Sequence, residues 1–282
     1  MVWSCLVSIL PGMAQTEKLT DYVNPFVGTD GYGNVYPGAQ IPFGGIQISP
    51  DTDSRFYDAA SGYKYNHLTL MGFSLTHLSG TGIPDLGDFL FIPGTGEMKL
   101  EPGTHEDPDQ GYRSRYSHDK EWASPNYYAV ELADYGVKAE MTSGVRSGMF
   151  RFTYPESDNA FIMIDMNHTL WQSCEWSNLR MINDSTITGY KLVKGWGPER
   201  HVYFTATFSK KLTGLRFVQD KKPVIYNTSR FRSSYEAWGK NLMACISFDT
   251  KAGEEVTVKT AISAVSTDGA RNLSLIHISE PT

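Results

Sequence analysis

The chain has 282 residues, enough at ~100–200 residues per domain for one large domain or two modest ones around a sizeable core. Hydrophobic residues at 40% and charged residues at 20% exclude wholesale disorder, and a net charge of −6 without a basic stretch argues against a nucleic-acid partner. Tyr (16) and Trp (6) are abundant, which suits β-sheet and also suits sugar faces, where an aromatic ring meets C–H bonds.

In chain order, the first segment is residues 1–14. Trp3 to Leu10 is mostly apolar, and Gly12-Met13-Ala14 before Gln15 has the small residues of a signal-peptidase site. The segment reads as a leader shortened at its basic start, and the chain as exported, periplasmic or secreted. The competing reading is an apolar N-terminal strand that Pro11-Gly12 cuts short. No other stretch approaches ~18 uninterrupted apolar residues, so no membrane-spanning helix is expected. Residues 24–96 carry Gly and Pro at high density between short apolar pieces such as Gly45-Ile46-Gln47-Ile48. That texture predicts long loops on a β scaffold, where binding groups usually sit.

From Tyr127 onward the periodicity is two. Strands are predicted at Tyr127 to Leu132, Val137 to Met141 after an Asp134-Tyr135-Gly136 turn, Met149 to Tyr154, Ser185 to Leu192, His201 to Phe208, Leu242 to Phe248 and Glu255 to Val265. Ala160 to Met166 is continuously apolar except for Asp165 and fits a strand buried on both faces. No segment shows a convincing helical stripe, although Asp268-Gly-Ala-Arg-Asn-Leu273 has an N-capping residue followed by helix formers. The fold class that follows is all-β, a large antiparallel β-sandwich with long loops. Cys174 and Cys245 could pair or remain two lone buried thiols. From Ser274 the chain closes no strand pattern and resembles translated adaptor read-through, so residues 274–282 are set apart from the fold.

Other chemistry finds no motif. There is no Gly-x-Ser-x-Gly elbow, no phosphate-binding loop and no His-Glu-x-x-His pair. Two stretches stand out instead. One is Val23-Asn-Pro-Phe-Val-Gly-Thr-Asp30, continuing through Tyr36-Pro-Gly-Ala39 and Pro42-Phe-Gly44 to Ser49-Pro-Asp-Thr52. The other is Ser61-Gly-Tyr63, Gly72-Phe-Ser74, Thr76-His-Leu-Ser-Gly-Thr-Gly82, then Asp85 and Gly87-Asp88. In this order and spacing they resemble the N-terminal domain of glycoside hydrolase family 92, the calcium-dependent exo-acting α-mannosidases common in gut Bacteroidetes. The resemblance continues weakly through Phe161 to His168, Gly189 to Gly197 and Ile262 to Leu273.

The resemblance implies a β-supersandwich over residues 20–267, a linker beginning at 268–273, and in the family a following (α/α)6 barrel with the active site at the seam. It implies hydrolysis of terminal α-mannose from a glycan with inversion, an acid and a base carboxylate acting on opposite faces of the sugar. In the family the acid, the base and the calcium ligands belong to the barrel, so no catalytic or metal residue is assigned in this chain. The α-mannoside glycan and the barrel are its implied partners.

The sandwich loops are expected to face sugar or seam through Tyr57, Asp58, His77, Ser79, Gly80, Asp85, Asp88 and Trp196. His77, Ser79 and the two acids offer donors and acceptors, Gly80 admits close backbone approach, and Trp196 offers a platform. The competing reading has His77 and Asp88 satisfying buried backbone groups and Trp196 packing in a core or seam. An exposed apolar and aromatic patch is expected near the His77 loop. Tyr32, Asn34, Lys64 and Leu75 stand where His is frequent in the family, and Tyr57 where Trp is common, which points to a different linkage or aglycone. The alternative function is a free-standing carbohydrate-binding module.

Overall fold

A computed structural model describes residues 18–54, 59–225 and 235–276. The leader, Tyr57, Asp58 and residues 277–282 lie outside the described residues. The rest is a sandwich of two antiparallel sheets. The smaller contains β1 (Ser49–Asp51), β3 (Gly72–Ser74), β4 (Leu90–Thr95), β10 (Ser157–Asp165), β17 (Leu242–Thr250), β14 (Gly214–Gln219) and β15 (Lys222–Pro223), in that spatial order. The larger runs β16 (Glu236–Gly239), β11 (Ser173–Asn183), β12 (Thr186–Lys194), β13 (Arg200–Phe208), β18 (Glu254–Ser263), β9 (Ser147–Tyr154), β8 (Val137–Ser143), β7 (Tyr127–Leu132) and β6 (Glu121–Ser124). A short ribbon pairs β2 (Thr69–Leu70) with β5 (Ser114–Arg115).

Alternation along each strand divides its side chains between faces. On β10, Ala160, Ile162 and Ile164 point between the sheets and meet Phe150, Phe152, Phe204 and Ile246 in one continuous core. Phe161 and Met163 point the other way, into a second cluster with Met71, Leu90, Ile92, Tyr112, Met243 and Cys245. β10 is therefore buried on both faces, which explains why its sequence does not alternate. The 98–113 segment lies over that outer face, with Met98 and Leu100 packed against the second cluster.

The turn signal at Asp134-Tyr135-Gly136 joins β7 to β8 with Leu132 opposite Val137, and Gly136 takes φ +63° and donates its N–H to the Leu132 carbonyl at 2.9 Å. Helix α1 (Thr267–Ile276) starts where expected. Its cap is Ser266, whose Oγ accepts from Gly269 N at 2.9 Å. Ala270 and Ser274 turn inward, and α1 packs against β18 and β13. Residues 274–276 thus continue this helix instead of standing outside the fold. Cys174 and Cys245 are both free and buried.

Candidate functional site

The longest loops gather at one end of the sandwich and are tied together by a buried polar network. Asp51 ends β1 with no exposed surface. Its Oδ1 lies 2.8 Å from His77 Nε2 and its Oδ2 2.9 Å from His168 Nε2. His77 Nδ1 faces the Gln47 carbonyl oxygen at 2.7 Å, an acceptor only, so this nitrogen carries a proton. Nε2 faces the Asp51 carboxylate and also the Ser74 hydroxyl at 3.1 Å, so the ring is held on both sides. Burial alone would raise the Asp51 carboxyl; the charge of His77 and the hydrogen bonds from His168 and His77 outweigh it and hold the group well below the usual carboxylate range.

The network continues through the main chain. Lys191 lies on the inner face of β12 with no exposed surface; its Nζ donates to the His168 carbonyl at 2.6 Å and sits 3.1 Å from Asp88 Oδ1. Arg200, at the start of β13, grips the same carboxylate in bidentate fashion at 2.6 and 3.1 Å. Thr76 Oγ1 donates to Asp88 Oδ2 at 2.7 Å and accepts from Asp88 N at 3.0 Å. Burial works against ionisation of Asp88, but Lys191 and Arg200 prevail and its carboxyl also stays well below the ordinary range. Asp88 and Lys191 are shut from solvent while Arg200 keeps 29% of its side chain exposed; each buried charge is expensive unless its partners stay in place.

Backbone links join the loops over this base. Gly80 N donates to Asn34 O at 2.7 Å, and Leu170 N to Leu86 O at 2.9 Å. Gly195 is held against Gln172, whose Cδ would lie 2.5 Å from a Cβ placed there. Tyr32, Ile83, Trp171 and Trp196 project from the joined loops with 90%, 38%, 57% and 62% of their surface exposed. These exposed apolar groups stand on the loops where such a patch was expected. Beside them opens a cleft of about 870 Å³ between the 167–174 loop, the 98–113 segment and the turns at Asp220-Lys221 and Lys240-Asn241.

The residues singled out in the sequence separate by depth. Ser79 and Gly80 are exposed at a loop tip, Gly80 with φ +72°, and Trp196 is exposed on the β12–β13 hairpin. Asp85 is nearly buried and its Oδ1 accepts from Leu86 N at 2.6 Å, fixing a turn. His77 and Asp88 are sealed inside the network, so in this structure they position the loops from beneath. Tyr57 and Asp58 fall outside the described residues. The sequence reading did not single out Asp51, His168, Lys191 or Arg200. A signal for Lys191 existed: a lysine at an inward position of an alternating strand needs a buried anion.

No cluster of three His, Cys, Asp or Glu suited to a metal occurs among the described residues. Calcium takes ~6–8 oxygen ligands, while the oxygens of Asp51 already face histidine nitrogens and those of Asp88 face Lys191 and Arg200. The donor set of the described residues does not fit that ion.

Comparison with known proteins completes the picture. The model of the glycosyl hydrolase family 92 N-terminal domain matches residues 22–263. The chain is 99% identical to a solved family GH92 α-mannosidase from Bacteroides thetaiotaomicron, with a TM-score of 0.90, covering 92% of this chain and 35% of that one. A family GH92 inverting mannosidase from Bacteroides thetaiotaomicron VPI-5482 shares the fold at 24% identity, with a TM-score of 0.76, over 94% of this chain and 34% of that one. An uncharacterized secreted glycosidase of Arthroderma benhamiae is 30% identical over 139 residues, 49% of this chain and 17% of that protein. The chain therefore spans about a third of the solved chains it matches and less of the curated relative. With a matched region that begins before β1 and ends at the last residue of β18, the chain belongs to glycosyl hydrolase family 92, whose N-terminal domain it carries.

Proposed function

We propose that this chain is the sugar-facing N-terminal domain of an exported α-mannosidase that removes terminal α-linked mannose from glycans with inversion. The observation that carries the reading is the 99% identity to a solved α-mannosidase along 92% of the chain, with only 35% of that enzyme covered. The chemistry of the loop end agrees with a binding role. A general acid must hold a proton near neutral pH, whereas Asp51 and Asp88 are kept ionised and shut from solvent. Neither can serve as the acid of a glycosidase pair. The acid, the base and the calcium that holds mannose hydroxyls are assigned to the family's C-terminal (α/α)6 domain. Ser79, Gly80 and Trp196 form the sandwich side of the sugar site, while His77, Asp85 and Asp88 keep those loops in place. A periplasmic or secreted location rests on the leader-like residues 1–14 and on the secreted relative; among the described residues no helix is long and apolar enough to cross a membrane.

The test compares two proteins, the 282-residue chain and the same chain continued into a family 92 C-terminal domain, each assayed with 4-nitrophenyl α-mannoside and α-mannobioses in calcium. The expected result is turnover by the longer protein alone, with β-mannose as the first product by NMR. Turnover by the 282-residue chain, or a longer protein that cleaves only other glycosides, would overturn the reading.

A further inference from the structure

Three bulky residues of the loop end, Leu86, Phe89 and Trp171, take a left-handed backbone, and Trp171 is the exposed one of the three. A bulky aromatic side chain at φ +68° is a conformational outlier, because a left-handed backbone crowds its Cβ. Such strain persists only where the surroundings over-determine it, and it concentrates at ligand sites. Here a tight turn imposes it: Thr169 Oγ1 donates to Gln172 O at 2.8 Å and accepts from Gln172 N at 3.3 Å, closing the chain around Trp171. The indole is nevertheless 57% exposed, on the wall of the 870 Å³ cleft. The fold thus strains its backbone to present a large apolar ring to a concave space.

The neighbouring side chain supplies a second, independent sign. Both amide atoms of Gln172 are cut off from solvent, yet neither has a hydrogen-bond partner among the described residues. An orphaned buried amide is costly. A ligand in the cleft that Gln172 borders would offer this amide partners if it turned away from Gly195. There its adjacent donor and acceptor match two neighbouring hydroxyl groups.

The remaining chemistry of the cleft selects a neutral, hydroxylated ligand. The cations on its rim are already neutralised, Lys221 by Glu101 at 2.5 Å and Lys240 by Glu175 at 3.2 Å, so an anion finds no free charge. Asp165 lies on the wall with Tyr112 OH 3.4 Å from its Oδ2 and the Asn167 N–H 2.8 Å from its Oδ1. Burial pushes its carboxyl above the usual range, which favours hydroxyl partners over cations. The volume lies within the ~300–1,000 Å³ range of small-ligand sites.

We propose that this cleft is a saccharide-binding site in which Trp171 stacks on a pyranose face and Gln172 takes two vicinal hydroxyls. The ligand class is a neutral oligosaccharide of at least two residues, and its identification as an α-mannoside rests on the function proposed above. The wall is continuous with the buried network, because His168, held by Asp51 at 2.9 Å, also lines the cleft.

The experiment uses the 282-residue chain and titrates it with α-1,2-, α-1,3- and α-1,6-mannobiose and with cellobiose, by calorimetry and saturation-transfer NMR. Trp171→Gly is the decisive variant, because glycine suits the left-handed backbone and removes only the ring. A mannobiose is expected to bind the parent chain. Trp171→Gly should weaken it by about tenfold or more without lowering the melting temperature. Gln172→Ala should weaken binding with the same stability readout, and Trp122→Ala, on the distant edge strand β6, should leave it unchanged. No saccharide binding to the folded parent chain, or equal affinity in Trp171→Gly, would sink the proposal. Cellobiose binding through Trp171 without mannobiose binding would keep the saccharide site and overturn the α-mannoside reading. Because the readout is binding, a failure of hydrolysis by the longer protein leaves this result standing.

Discussion

At the scale of single residues, buried charge decides which positions the fold can spare. Asp51 serves two histidines at once, and Asp51→Asn offers His77 or His168 an amide N–H where an acceptor stood. Breaking a buried charged pair costs ~3–5 kcal/mol, so the variant's urea midpoint should fall well below that of the parent chain. Ser79→Ala at the exposed loop tip should stay within ~0.5 kcal/mol in the same titration. Equal losses in the two would mean that Asp51 is not structural. A different histidine sets the acid response. His67 Nδ1 lies 3.0 Å from Thr52 Oγ1, and its ring centre is 4.1 Å from that of His105. Burial, then the neighbouring His105, lowers its pKa from 6.5 to about 4, so the folded form stays neutral over that window while the unfolded chain binds a proton. Stability should therefore fall as pH drops from 6.5 and level off below about 4. His67 is half-buried and partly screened, so the loss will be a fraction of that shift. Melting curves should show it, with a shallower slope in His67→Gln; a parallel slope would refute the assignment. Asp51 and Asp88 contribute in the other window, keeping their stabilisation until pH falls through their depressed values. At this scale the sequence displayed the loop motifs but not their roles. His77 and Asp88 look alike in sequence whether they touch a ligand or hold a loop. Only the distant partners His168 and Lys191, which no local pattern links to them, decide the matter.

At the scale of elements, legibility follows how cleanly a strand alternates. β7, β8, β9, β12, β13 and β18 stand within a few residues of their predicted spans because one face meets the core and the other is largely polar, and β17, apolar on both faces, because its run is continuous. β11 was invisible: a register shift between Cys174 and Trp176 interrupts its alternation, and its outward residues are mixed. β1, β3, β4, β14 and β16 were missed for a related reason, being short pieces whose pairing comes from far along the chain. Close packing between strands leaves its own trace at Gly189, in the middle of β12. A Cβ there would stand 2.3 Å from Phe204 Cε1 and 2.7 Å from the Asn178 carbonyl oxygen. Phe204 is fully buried and is the cross-strand partner of Gly189, so it has little room to give. Gly189→Ala should destabilise by ~1–3 kcal/mol through overpacking, read as a lower melting temperature. An unchanged melt would show that β12 and β13 can separate locally at no cost.

At the scale of the whole molecule, two adjacent residues of β10 report on different layers. Ile162 belongs to the core that both sheets share, whereas Met163 belongs to the outer cluster roofed by the 98–113 segment. Each is fully buried, and truncation of either should cost ~2–5 kcal/mol if the site cannot collapse. The consequences should differ in reach. The shared core touches strands of both sheets, so Ile162→Ala should lower one cooperative transition seen alike by far- and near-UV circular dichroism. The outer roof contains little regular structure and meets the sheet through few large side chains, among them Tyr112, Met98 and Leu100. Met163→Ala should therefore loosen residues 98–113 before the sheets yield, because segments with few buried contacts open at lower free energy. Hydrogen exchange resolved by peptide distinguishes the two, with the Met163 variant losing protection in 98–113 while β12 and β13 keep theirs. That segment also forms one wall of the Trp171 cleft, so its early opening should lower saccharide affinity in step with the lost protection. If protection falls evenly across the chain in both variants, the roof is part of the same cooperative unit as the sheets, and the cleft is as rigid as the core beneath it.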